Sequence, residues 1–234
     1  MQENNTITIS VDDVKDFKEI FSDENQLIKK IVQENYLDIL KGRILDVGGG
    51  TADILSEIIP KETVTHLDIL DFSSTPIPEN HSRIQGDFLD EKTLDNIGRF
   101  DVLFMSHVHQ FLDHNMEKLN RSIERANAES IIMVEDVNDD FLGEVMKFSL
   151  SRFENANPEV KLEGFPIGYT QTRSISFTGN VICSDFSALT KQCLYLMDLP
   201  HSEENILAMK EFLESRLTKP AFTIHQEVNL YQKQ

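Results

Sequence analysis

Three consecutive glycines follow a short apolar run in Leu45-Asp46-Val47-Gly48-Gly49-Gly50-Thr51-Ala52-Asp53. Glycine takes positive φ without steric cost and lets backbone approach a ligand closely. A strand, such a turn and a helix therefore form a cradle whose free N–H groups face a bound molecule. A sharp turn with a purely structural use is the alternative. Carboxylates recur after the next two apolar runs. Asp68 lies 20 residues beyond Gly48, where a carboxylate can accept hydrogen bonds from both hydroxyls of a ribose, with Asp71 as its local competitor. Gly86-Asp87-Phe88 then offers an acceptor beside an aromatic ring, a pair suited to the amino group and face of adenine.

Two common nucleotide fingerprints fit poorly. A Gly-x-Gly-x-x-Gly pattern counted from Gly48 puts Asp53 at its last position, which weakens a nicotinamide dehydrogenase reading. Negative charge there disfavours a pyrophosphate but suits a ligand carrying an ammonium and a sulfonium. The Gly-Lys-Ser/Thr of a phosphate-binding Walker loop is absent. A second concentration of chemistry, Ser106-His107-Val108-His109-Gln110-Phe111-Leu112-Asp113-His114, carries three of the seven histidines. His107, His109, Asp113 and His114 could ligate zinc in a hydrolase. The three residues between His109 and Asp113, against one in the metallo-β-lactamase motif, and the lack of a later ligand set argue against that reading. Otherwise one imidazole can act as a general base near neutral pH.

These residues need a scaffold that brings strand ends together. Short apolar runs alternate with helical segments from residue 43, the signature of a parallel sheet covered on both faces. Strands are expected at 43–47, 64–70, 82–88, 100–105 and 130–136, with helices over 51–59 and 115–127. Further helices are expected at 139–154, 185–198 and 203–217, then a last strand at 221–231. Pro158, Gly164, Pro166 and Gly168 mark a loop. Before the sheet, Ser10 and Asp13 form a capping box for a helix through Phe21. A second helix capped by Asp23 carries an apolar stripe from Leu27 to Leu40 and stops at Gly42.

In that order, ILDVGGGTA, THLDIL, IQGDF, FDVLFMSHVHQFLD and IIMVED resemble the class I S-adenosylmethionine (SAM)-dependent methyltransferases over roughly 43–136. The resemblance implies a Rossmann-like α/β fold with a mostly parallel sheet and an antiparallel last strand. It further implies that Asp46, Gly48, Gly49 and Gly50 surround the methionine part of SAM, that Asp68 holds the ribose, and that Asp87 and Phe88 face adenine. Ser106 and His107 would border the sulfonium. Ala52 replaces a frequent last glycine of the motif. The segment from His109 to Asp113 is similar to a His-Asp-Trp-Ser-Asp segment of small-molecule O-methyltransferases, which favours His109 as base, with Gln110 and Phe111 departing from the pattern.

The expected organisation is an N-terminal helical cap over 1–42 and a methyltransferase domain over 43–234 with cap elements within 139–217. The expected reaction moves a methyl group to a small-molecule acceptor, oxygen slightly favoured over nitrogen, and releases S-adenosylhomocysteine. A non-catalytic SAM-binding module would keep the glycine turn without a competent acceptor pocket. The net charge of −18 repels nucleic-acid phosphates and anionic lipid surfaces, so neither is an expected partner; a homodimer is compatible with the sequence. Two cysteines are too few for a disulfide framework, and the first residues lack a signal-peptide pattern, which points to the cytoplasm.

Overall fold

The computed structural model describes residues 22–108, 116–156 and 166–234; the helix expected over 10–21 lies outside them. Helix α1 (Ser22–Asn35) precedes β1 (Arg43–Val47), α2 (Asp53–Ile58), β2 (Thr63–Asp68), β3 (His81–Gln85), α3 (Glu91–Ile97) and β4 (Val102–Ser106). Then come α4 (Met116–Ala126), β5 (Ser130–Asp136), α5 (Phe141–Arg152), β6 (Tyr169–Ile182), α6 (Phe186–Leu196), α7 (Glu203–Arg216) and β7 (Ala221–Lys233). The seven strands form one sheet in the order β3-β2-β1-β4-β5-β7-β6. β1 to β5 pair in parallel, and β7 is antiparallel to both its neighbours. This is the Rossmann-like arrangement that the alternating pattern predicts, and β7 runs antiparallel as the family resemblance implies.

Apolar residues of both parities are buried along the central strands because helices cover both faces. On one face Leu45, Val47, Leu103, Met105, Ile131 and Met133 meet Leu94 of α3 and Leu119 and Ile123 of α4. On the other, Ile44, Val64, Phe104, Ile132 and Val134 meet Ile28 and Val32 of α1 and Leu55 of α2. The segment 22–40 packs as a layer of this core through Ile28, Val32, Tyr36 and Leu40. Its helix ends at Asn35, short of the expected Gly42. The Tyr36 hydroxyl donates to the Val228 carbonyl at 2.7 Å, turning the chain so that Leu40 returns to the core.

A third apolar cluster joins α5, α6 and α7 to the ends of the β6–β7 hairpin, with Phe148 and Phe212 stacked at 4.2 Å between ring centroids. Its position follows from register. Asp136, the last residue of β5, pairs with Gln226, which pairs with Phe177. Beyond that rung the hairpin continues through Thr178–Ile182 and Ala221–His225, so the cluster overhangs the carboxyl edge of the parallel strands. Cys183 and Cys193 are free and buried in it. Burial pushes the Cys183 thiol up to about 11 and the Cys193 thiol further in the same direction. Neither should react with iodoacetamide at pH 8 in the native state, and both should react in urea, read by mass spectrometry. The sign of the linkage is fixed: below about pH 9 these thiols cost nothing, and stability falls as pH rises from about 9 to 11.

Candidate functional site

The parallel strands end on one edge, and the glycine turn opens there between β1 and α2. Gly48 sits at φ +68°, and a Cβ on it would lie 2.4 Å from Val108 Cγ1, so only glycine lets the turn pass beneath the segment that follows β4. A Cβ on Gly49 would lie 2.7 Å from Asp46 Oδ2 and 3.1 Å from His66 Nδ1. The turn is thus wedged between Val108 and the Asp46–His66 pair, and there is no room for side chains at either glycine. Gly50, also at positive φ, donates its N–H to Asp68 Oδ2 at 3.0 Å.

Ala52 caps α2 at φ +68° and ψ 16°, a left-handed conformation that its Cβ disfavours by about 1 kcal/mol. Ala52→Gly should therefore raise stability by about that amount, a melting shift of roughly 2–4 °C for a chain of this size, measured by calorimetry.

Beneath the turn runs a buried polar chain. Asp46 Oδ2 lies 2.7 Å from His66 Nδ1, and His66 Nε2 lies 2.9 Å from His81 Nδ1. His81 Nε2 faces the Ile59 carbonyl at 3.2 Å. Arg83 on β3 grips the turn from the same side, donating to the Gly50 carbonyl at 2.6 Å and the Thr51 carbonyl at 3.1 Å. Burial lowers the Arg83 pKa from its ordinary value, and Asp46, Asp53 and Asp68 oppose that shift. Asp46 is thus buried under the turn with its carboxylate on His66.

The rival acids after β2 separate. Asp68 is half-buried, facing the turn through Gly50 and accepting from Leu70 N at 2.9 Å. Asp71 is exposed and accepts from Ser73, whose side chain and backbone hold its carboxyl below the usual range. After β3, Asp87 is exposed and accepts from Leu89 N at 2.8 Å. The Phe88 ring points elsewhere: it is 3% exposed and packs in the core with Leu67, Met105 and Val108. Its apolar area is taken by the core, so Asp87 alone of the pair is presented outward.

At the end of β4, Ser106 is half-buried and His107 takes φ +51°, a strained conformation for a non-glycine residue. Its N–H bonds the Val134 carbonyl at 3.2 Å, and its Nε2 lies 2.8 Å from Glu24 Oε1 of α1. Its Nδ1 is 3.8 Å from Asp136 Oδ1. Gln226 of β7, 1% exposed, donates through Nε2 to Glu24 at 2.6 Å and to Asp136 at 2.8 Å. Four elements thus converge on one imidazole whose side chain keeps 24% of its surface open. The Glu24 carboxylate at Nε2 fixes the orientation of the ring and the place of its proton, leaving Nδ1 on the side of Asp136.

His109, Asp113 and His114 lie outside the described residues, so of the histidine segment only Ser106, His107 and Val108 are placed. The sequence reading missed Glu24, His66, His81, Arg83, Asp136 and Gln226. His66 sits directly across from Asp46 in the parallel β1–β2 register, a pairing that the two apolar runs alone do not fix. Gln226 and Glu24 reach the site only through the antiparallel strand and the packed helix, which no local motif announces.

No protein-family model and no curated protein matches the sequence. Among solved structures, the chain is similar to a cyclopropane-fatty-acyl-phospholipid synthase-like protein from Lactobacillus casei, with TM-score 0.60 and 12% identity over 95% of this chain and 98% of that one. It is also similar to a SAM-dependent methyltransferase from Anabaena variabilis, with TM-score 0.54 and 11% identity over 97% and 96%. With its strand order and antiparallel β7, the chain has the class I SAM-dependent methyltransferase fold.

Proposed function

We propose that this protein is a cytoplasmic methyltransferase that uses SAM and methylates a small-molecule acceptor. The observation that carries the reading is the contact of Val108 with Gly48, which sets His107 and its carboxylates directly beside the glycine turn at the carboxyl edge of the sheet. The residues suit the cofactor. The glycine turn lies at the strand edge where the methionine part would sit, and the Asp68 carboxylate, facing the turn through Gly50, is placed to accept from the ribose hydroxyls. Asp87 offers an outward acceptor for the adenine amino group.

Bound SAM supplies an electrophilic methyl group and a neutral thioether leaving group, so the protein mainly has to align the acceptor. Holding a nucleophile in line at near-attack distance removes up to about 7–11 kcal/mol of the barrier. His107, with its Nε2 proton held on Glu24, accepts the acceptor proton at Nδ1, and Glu24 and Asp136 stabilise the imidazolium that results. The third apolar cluster overhangs this edge and forms the roof of the acceptor pocket, excluding water. Oxygen is the acceptor atom this arrangement favours, since a hydroxyl gains most from a base.

Calorimetry tests the cofactor reading: micromolar binding of SAM and S-adenosylhomocysteine with no binding of NAD is expected, and absence of SAM affinity in folded protein would overturn it. An acceptor screen read by S-adenosylhomocysteine release tests catalysis. SAM binding without release on any hydroxyl or amine compound would indicate a binding module.

A further inference from the structure

The buried chain under the turn contains three gaps, Asp46–His66, His66–His81 and His81–Ile59, at 2.7, 2.9 and 3.2 Å. Each gap needs one proton. The Ile59 carbonyl only accepts, so His81 must carry its proton on Nε2 and present a bare Nδ1. His66 must then donate from Nε2. That leaves His66 Nδ1 facing the Asp46 carboxylate, and the gap closes only if a further proton lies there, on the ring or on the acid. A carboxylate with two neutral imidazoles holds two protons, and three are required. Burial supports the assignment: His66 is 2% exposed, and desolvation lowers the His81 pKa, keeping that ring neutral. Arg83 from β3 is the charged group facing Asp46, and Asp53 and Asp68 face Arg83 in turn.

We propose that Asp46, His66 and His81 form a three-proton relay that positions the glycine turn, and that the turn is unseated when the third proton has no group to carry it. Gly49 rests on the pair that shares this proton, at the distances a Cβ would violate. Without the proton two acceptors face each other in a buried gap, which opens and lets the turn above it move. Below about pH 6.5 the unfolded chain takes up a proton that folded His81 resists, so stability declines there.

Imidazole nitrogen shifts of the 15N-labelled protein at pH 7 test the proton count without any ligand. The expected result is His81 in the Nε2–H form and His66 protonated at Nε2, with the third proton on His66 Nδ1 or, read by the 13C shift, on the Asp46 carboxyl. His81 in the Nδ1–H form with His66 bare at Nε2 would overturn the relay, and so would a bare His66 Nδ1 facing an ionised Asp46. The link to the cofactor rests on the proposed function and has its own readout. Asp46→Asn carries the third proton permanently, because its amide N–H donates to His66 Nδ1. Asp46→Leu keeps the volume and can neither donate nor accept, so S-adenosylhomocysteine affinity should be about tenfold lower in Asp46→Leu than in Asp46→Asn, whatever the absolute affinity of either. Equal affinities in the two folded variants overturn the coupling. If the wild-type protein binds no S-adenosylhomocysteine, the cofactor reading fails and the nitrogen and carboxyl shifts alone decide the relay.

Discussion

Asp68→Ala should lower SAM affinity about a hundredfold, whereas Asp71→Ala should leave it within about twofold. The asymmetry follows from where the two carboxylates sit. Asp68 faces the glycine turn through its bond to Gly50 N, so its loss removes a charged acceptor for the ribose and a brace of the turn itself. Hydrogen bonds to a charged group contribute about 1.5–3 kcal/mol each, and two ribose hydroxyls set the scale of the loss. Asp71 is exposed and engaged with Ser73, away from the turn. Calorimetry on both variants, with circular dichroism to confirm folding, separates them. Equal affinities in the two variants would remove Asp68 from the ribose site. Asp68→Asn refines the result: an amide keeps one acceptor oxygen and the shape, so it should recover part of the affinity.

The central sheet was legible because burial on both faces writes continuous apolar runs. The observed strands β1, β2, β4 and β5 are Arg43–Val47, Thr63–Asp68, Val102–Ser106 and Ser130–Asp136, each within two residues of its expected span at both ends. β6 was not legible. Tyr169–Ile182 is an edge strand with little of its length buried, and its apolar residues Ile175, Phe177 and Val181 are separated by Ser, Thr, Gly and Asn that read as loop. Helix α3 was also missed: its seven residues give one buried position, Leu94, too few to show a period. At the site the same division holds. The glycine turn and Asp68 are local signals on consecutive residues. Glu24, Asp136 and Gln226 meet at His107 through pairing between residues up to 202 positions apart, which depends on the topology of the last strand.

That long-range cluster makes the second large prediction. With an acceptor from the screen, His107→Ala should reduce kcat about 10²–10⁴-fold while SAM affinity stays within a few-fold, the result expected if the ring takes the acceptor proton as proposed. Glu24→Gln keeps the shape and removes the charge 2.8 Å from the ring, so it should lower kcat by a smaller factor, about tenfold, and leave SAM binding intact. The two effects should not add. Once His107 is gone Glu24 has no imidazolium to stabilise, so the double variant should match His107→Ala within about twofold. Additive losses would mean that Glu24 acts elsewhere, on the acceptor itself or on the fold. Full activity in His107→Ala with a hydroxyl acceptor would remove this ring as the base and turn attention to His109, which follows it by two residues. An amine or acidic phenol as acceptor would blunt the His107 effect without touching the Asp68 effect, so measuring both variants on one acceptor distinguishes a misplaced base from an acceptor that does not need one.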